Sequence, residues 1–291
     1  MSEDQITTYH ERGYVLARGV VPAAQLDAMR AELAAWTEES RGHTENFGEI
    51  LGGKARFDLQ PGHTADNPQL RRVANPVDIS EAYRNVLFEG PVPAIAAQLL
   101  GPDVVFHHFK TNTKAPGSAT RVDYHQDHAF TPHTNDDMIT VLVLLDDMDE
   151  ANGCLTVVPG SHRERYSHWA DGRFIGRIDP AMDAEFDARA EPIRGSAGDV
   201  CFMHNWAVHG GGPNLSAAPR SLLICDLSAA DAKPLCVNPV PTPHEGRVVH
   251  GQASRVARLT QAELEMPEIY SDDSFFVIQE REAQARAKEG T

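Results

Sequence analysis

Cysteine, basic residues and long apolar runs are all scarce in this chain, and each scarcity removes a class of protein. The 291 residues include 4 cysteines. Cys154, Cys201, Cys225 and Cys236 form no CxxC pair, which argues against a thiolate zinc ribbon or a redox dithiol. Three of them lie in apolar, strand-like segments, so reduced structural thiols are expected. No stretch approaches the roughly 18 uninterrupted apolar residues of a membrane span. The start MSEDQITTYHERGY also lacks the basic and then apolar order of a secretory leader. A soluble, cytoplasmic protein with no membrane partner is expected. Lys+Arg amounts to 26 against 42 Asp+Glu, a formal net charge of −16. A field of that sign repels phosphate backbones, so no nucleic-acid partner is expected, and the acidity itself serves solubility. Internal repeats and low-complexity tracts are absent, whereas the 41% hydrophobic content suffices for a sizeable core. A monomer or homodimer acting on a small molecule fits these bounds.

The pattern along the chain divides it into a helical buttress at about 1–101, a barrel at about 103–240 and a tail at about 241–291, all read as one domain. A short helix precedes a strand through Tyr14–Leu16. A second helix opens near Pro22, where Leu26, Met29, Leu33 and Trp36 recur at helical spacing and predict a stripe lying on a sheet. Residues 40–68 read as a long loop. ISEAYRNVLFEGPVPAIAAQLLG predicts two helices broken at Gly90–Pro91 and ended by Gly101. From Asp103 onward short β-rich runs follow, VVFHHFKTNTK, MITVLVLL, CLTVV, GDVCFM and RSLLICDL, separated by turn residues. The expected fold is mainly β, a double-stranded β-helix of the jelly-roll, cupin-like kind. Residues 161–194 read as a surface excursion between strands, and the tail from Thr260 to Lys288 as helical.

Tyr124-His125-Gln126-Asp127-His128 is the strongest local signal for chemistry. Side chains at i and i+2 of a strand share a face, so His125 and Asp127 are expected to point together into the barrel and share a metal ion. The distant third ligand is His209 in CFMHNWAVHGGGPN. Two imidazoles and one carboxylate leave positions open on the metal, the donor set of non-haem Fe(II) oxygenases. Taken alone, an HxD pair in a chain with 14 histidines also fits solvated loop residues. Arg220 opens RSLLICDL, and a guanidinium at a strand mouth can grip a carboxylate bidentately. A dicarboxylate co-substrate chelating the metal at one end and meeting Arg220 at the other would use both.

Two strands carry further candidates. His108, Lys110, Asn112 and Lys114 alternate onto one face of VVFHHFKTNTK, although lysines there equally suit an exposed edge. Arg220, Leu222, Ile224 and Asp226 share another face, so Asp226 should point inward and require a partner, either a cationic substrate group or an internal base. His204 reads as a packing residue, and Gly210-Gly211-Gly212 as a turn permitting close approach.

The ordered set GYVLARGVV, Lys114-Ala115-Pro116-Gly117, YHQDH, ANGCLTVVPGSHR, GDVCFMHNWAVHGGGPN and Arg220-Ser221 resembles the phytanoyl-CoA dioxygenase family of Fe(II)- and 2-oxoglutarate-dependent oxygenases, ectoine hydroxylase-like members included, over about residues 8–228. The resemblance implies iron held by His125, Asp127 and His209, and 2-oxoglutarate held by Arg220 with Asn112 and then Lys110. It also directs attention to the strand that carries His108, a candidate substrate contact together with Asp226, which strand alternation alone places inward. Fe(II), 2-oxoglutarate and O2 are implied, with ascorbate as a reductant. The related halogenating enzymes replace the metal carboxylate with a small residue. Asp127 is present here, so oxidation of a small organic metabolite, with release of succinate and CO2, is the implied reaction. The competing readings are an inactive barrel that binds a small ligand and a redox-inert metalloenzyme of the cupin type. The residues from Asp226 to Gln252 match no pattern that assigns a substrate.

Overall fold

The computed structural model describes residues 1–268 and, beyond them, Ile278, Arg281 and Gln284. Helix α1 (Glu3–Arg12) begins with Ser2 and Gln5 in a reciprocal capping box and ends at Gly13, whose φ of 80° only glycine adopts readily. Strand β1 (Tyr14–Ala17) leads into α2 (Ala23–Glu39), which buries Leu26 and Met29 and half-buries Leu33 and Trp36, the face its spacing predicts. Strands β2 (Phe57–Leu59) and β3 (Leu70–Ala74) follow, then α3 (Glu81–Arg84), a π turn, and α4 (Pro91–Leu100), which stops at Gly101.

The β region comprises β4 (Val104–Lys114), β5 (Val122–His125), β6 (Met138–Leu144), β7 (Leu155–Val157), β8 (Trp169–Ala170) and β9 (Arg173–Phe174). After helix α5 (Asp183–Arg189) come β10 (Glu191–Pro192), β11 (Val200–His204), β12 (His209–Gly211), β13 (Arg220–Ala229) and β14 (Val248–His250). An eight-stranded sheet runs β1-β11-β6-β13-β4-β3-β2, with β14 also on β4, and faces a four-stranded sheet ordered β10-β7-β12-β5. This is the expected jelly-roll arrangement.

The large sheet is covered on both faces, which explains why every residue of β6 is buried. Ile139, Val141 and Val143 join Phe106, Phe109, Leu223 and Cys225 in a core against the helices. Leu142 and Leu144 instead meet Leu222, Val157 and Met203 between the sheets. Period-two alternation thus divides one apolar strand between two cores, and the barrel interior is left to polar side chains at one end. All four cysteines are free thiols.

Four expectations change. β4 is an interior strand between β3 and β13, so its lysines do not decorate an exposed edge. β2 lies inside the stretch read as a loop, held by its pairing with β3 rather than by any local periodicity. Residues 161–194 are more than a surface excursion, because they bury Ile178 and Phe186 in a third cluster with Val158 and Val208 and add β10 to β7. Residues 260–268 contain no helix; of the remainder of the helical tail expected from the sequence only Ile278, Arg281 and Gln284 are described, and these three are helical as expected. Among the described residues no helix is long and apolar enough to cross a membrane.

Candidate active site

His125 closes β5, and His209 opens β12 directly opposite it. Their rings lie 4.1 Å apart between centroids. Each donates Nδ1–H to a backbone carbonyl, His125 to Asp123 at 2.8 Å and His209 to Ala207 at 3.0 Å. Those bonds fix the tautomer and leave both Nε2 lone pairs aimed at the same point. Asp127 Oδ1 completes the group, 3.4 Å from His125 Nε2 and 3.6 Å from His209 Nε2. Burial lowers His209 to about 4, so its ring is neutral at physiological pH. Burial would raise the Asp127 carboxyl, but His209, His125 and Lys110 outweigh it and hold it ionised. A neutral His209 ring and an ionised Asp127 carboxylate are protonation states that suit metal binding.

Asp127 reaches the group by a different route from the one its spacing predicts. β5 ends at His125, and Asp127 begins a 3-10 turn through Ala129. The turn, rather than i, i+2 alternation, brings the carboxylate to the imidazoles. Thr140 of β6 then fixes it by donating Oγ1–H to Asp127 Oδ2 at 2.7 Å, leaving Oδ1 for a metal. Thr140, whose hydroxyl holds Asp127, is missing from the sequence-based candidates, and its one signal there is a lone polar side chain within the apolar run MITVLVLL.

Around this group lies a cavity of about 720 Å³. His108, Lys110, Asn112 and Lys114 all line it, as do Arg220, Leu222, Ile224 and Asp226, so both predicted alternations hold. Arg220 pairs across the strands with Lys114. Arg220 Nη2 donates to Gly153 O at 2.6 Å, and Lys114 Nζ donates to Gly153 O at 3.5 Å and to Gly212 O. Gly153 must be glycine here, because φ is +71° and a Cβ would stand 2.5 Å from Pro213 O. Burial and Arg220 lower Lys114 to about 7, and burial lowers Arg220 to about 10. Among the described residues Arg220 Nε and Asn112 Oδ1 are buried without a hydrogen-bond partner. A buried, under-bonded guanidinium calls for an anion, and a dicarboxylate reaching in from the metal group meets that need.

Asp226 has internal neighbours. It faces Thr140 across the sheet, and its Oδ2 lies 3.6 Å from His108 Nε2. Burial, then Asp127, raises it to about 7. His107 is an extra residue in β4 where the register to β13 shifts, so it joins His108 with Nδ1 atoms 2.8 Å apart. His204 stands apart from the metal group, stacked on Tyr9. Phe174, from the segment expected to be a surface excursion, also lines the cavity.

The family profile described as phytanoyl-CoA dioxygenase (PhyH) matches residues 9–222. The chain belongs to the phytanoyl-CoA dioxygenase family. It is 30% identical over 94% of its length, and 96% of the relative, to a Stutzerimonas stutzeri protein named "Probable alpha-ketoglutarate-dependent hypophosphite dioxygenase". It is 26% identical to the ectoine dioxygenase of Bordetella parapertussis over 76% of this chain and 73% of that one. It is also 26% identical to the 2-aminoethylphosphonate dioxygenase of an uncultured bacterium, over 75% and 78%. The crystal structure of EctD from S. alaskensis with 2-oxoglutarate and 5-hydroxyectoine superposes with a TM-score of 0.66 at 20% identity, covering 89% of this chain and 88% of that one, which shows the fold. This phytanoyl-CoA dioxygenase family member is an Fe(II)- and 2-oxoglutarate-dependent dioxygenase that oxidises a small molecule and releases succinate and CO2.

Proposed function

We propose that His125, Asp127 and His209 hold the iron, and that Arg220 and Asn112, with Lys110 near the metal, hold 2-oxoglutarate. The observation that carries this reading is the convergence of two Nε2 atoms and Asp127 Oδ1 at one end of a cavity whose other end presents the under-bonded Arg220. Iron with 2-oxoglutarate and O2 supplies the two-electron oxidation of the substrate. The chain's own groups position it: Thr140 orients Asp127, and the carbonyls of Asp123 and Ala207 orient the histidines. Lys114, which the sequence offers in an alternating set and in a family-like turn but not as an anion contact, stands beside Arg220 as a second cation for the distal carboxylate. His108 and Asp226 line the substrate side. The buttress, barrel and tail act as one oxygenase unit, a cytoplasmic monomer or homodimer. An inactive barrel or a redox-inert cupin enzyme has no use for the Arg220 and Asn112 pair at the distal end.

Purified protein supplied with Fe(II), ascorbate and 2-oxoglutarate should release succinate slowly alone and faster with its substrate. Hypophosphite, 2-aminoethylphosphonate, ectoine and proline, the substrates named for relatives, are the first compounds to supply. No succinate under any of these conditions, with iron retained, would refute the assignment of co-substrate.

Lys114 adds a pH signature. With a pKa of about 7 it is mostly neutral at pH 8, and an adjacent carboxylate favours its charged form. Binding of 2-oxoglutarate at pH 8 should therefore take up a proton, roughly 0.9 per site, whereas at pH 6 the lysine is already charged and little uptake is expected. Calorimetry in Tris and in HEPES reads the uptake from the difference between the observed heats, and equal observed heats in the two buffers at pH 8 would remove Lys114 from the clamp.

A further inference from the structure

We infer that the carboxy-terminal tail is the outer wall of the cavity and sets the size of the molecule admitted to the metal, with Ile278 as the determining side chain; the inference rests on the reading of the site as an iron and 2-oxoglutarate centre. Pro267, Glu268 and Ile278 all line the cavity that contains His125, Asp127 and His209. They lie beyond the stretch matched by the family profile, which stops at residue 222, whereas every residue assigned above to the metal or to 2-oxoglutarate falls inside it. The tail therefore bounds the site without belonging to its shared machinery. Ile278 has a built seat. A Cβ on Gly176 would meet Ile278 Cγ2 at 2.8 Å and Phe130 Cε1 and Cζ at 3.3 Å, so the bare backbone of Gly176 makes the slot in which Ile278 packs beside Phe130. Phe130 stands edge-on to His125, with ring centroids 5.8 Å apart, and edge-on to Phe174 at 5.3 Å. A single aromatic ring thus separates Ile278 from a metal ligand.

The way the tail reaches this seat explains why it can act as an adjustable boundary. Residues 251–268 form no helix or strand, so no ladder of backbone bonds holds them. Apolar burial does not hold them either, because Val256, Leu259 and Met266 are exposed. Point contacts set the course instead. Arg258 donates Nε–H to Asp231 Oδ2 at 2.9 Å and pairs through Nη2 with Asp137. Thr260 N donates to Thr134 O at 3.2 Å, Gln261 Nε2 to Asp136 Oδ1 at 2.7 Å, and Ser167 Oγ to Glu265 Oε1 at 2.9 Å. The same Asp136 oxygen accepts Nε1–H of the buried Trp206 at 2.8 Å, so this anchor is fixed to the packed protein. A segment held by side-chain bonds at partly exposed positions opens locally at much lower cost than the paired sheets. The tail is accordingly the part of the cavity boundary that yields first. What passes it depends on how often it opens and on the side chains it presents when docked.

The test uses the full-length enzyme loaded anaerobically with Fe(II) and 2-oxoglutarate, and two metal-seeking probes of unlike size, nitric oxide and bipyridine. Stopped-flow absorbance reads nitric oxide association, and the colour of the iron–bipyridine complex gives the chelator-dependent rate constant of iron removal. Ile278→Ala should raise the bipyridine rate constant about fivefold or more, while nitric oxide association and the dissociation constant of 2-oxoglutarate change less than about twofold. Arg258→Gln, which releases the tail from its two carboxylates at a distance from the cavity, should act in the same direction by a similar factor. Leu259→Ala, an exposed side chain on the same segment, should leave both probes as in the wild type. An unchanged bipyridine rate in folded Ile278→Ala or Arg258→Gln, or an equal rise in Leu259→Ala, would overturn the inference. A matching rise for nitric oxide would overturn it too, since a general loosening does not discriminate by probe size and a wall does. Weakened 2-oxoglutarate binding in step with the bipyridine rate would place the tail over the co-substrate, again against the inference. Failure of the underlying iron and co-substrate reading looks different, because the wild type itself would then retain no iron and give no heat with 2-oxoglutarate.

Discussion

Replacing His125 or His209 by alanine should abolish iron retention and all succinate formation while the protein stays folded. Each ring offers an Nε2 whose direction is set by an Nδ1–H bond to the backbone carbonyl two residues earlier, so no neighbouring group can take its place. Both rings face the cavity rather than the apolar cores, and the cluster that packs sheet on helices contains neither. Removing one therefore costs about one backbone hydrogen bond, roughly 0.5–1.5 kcal/mol, against complete loss of the metal site. Iron content by elemental analysis, circular dichroism and succinate measured on the same preparation separate the two effects. Full iron occupancy with normal turnover in either variant would show that the ligands lie elsewhere.

Arg220→Ala is expected to give the second largest effect. The wild-type guanidinium is buried, bonded through Nη2 to Gly153 O and left with an unused Nε. The co-substrate's distal carboxylate would lose a charge-assisted partner in a low-dielectric pocket, a loss of about 2–5 kcal/mol, or roughly 30- to 5,000-fold in its apparent dissociation constant. Lys114 remains in the variant and places the outcome toward the lower part of that range. Asn112→Ala should cost less, about 0.5–1.5 kcal/mol for one ordinary hydrogen bond. An Arg220→Ala enzyme with unaltered 2-oxoglutarate dependence would relocate the clamp, and Lys110 would be the residue to examine next.

The parts of the site that rest on strand alternation are legible in the sequence. His108 to Lys114 and Arg220 to Asp226 fall on the cavity as period two requires, because a regular strand's facing is a property of its own backbone. The parts that rest on irregular backbone are not. By spacing, Asp127 is a strand residue two positions from His125, yet a turn carries it. Nothing local in VVFHHFKTNTK or LRRVA announces an extra residue at His107 or Arg71, since a register shift is defined only against the partner strand. Thr140 shows in the sequence only as a lone polar residue in an apolar run, because its value lies in the distance to a carboxylate 13 positions away along the chain.

By itself the sequence determined the family and the mainly β barrel with its helical buttress, and it singled out the histidines, aspartate and arginine that the structure brings to one cavity, because periodicity and short ordered motifs are encoded along the chain. Tertiary structure alone decided that β4 is an interior strand, that Lys114 is buried beside Arg220, that Asp226 faces His108 and Thr140, and that both arginines of β3 enter the cavity. Burial and electrostatic neighbourhood depend on which strands lie side by side. Residues far apart in sequence meet only when the sheets close, and the protonation state of Lys114 and the under-bonded nitrogens of Arg72 and Arg220 arise from that closure.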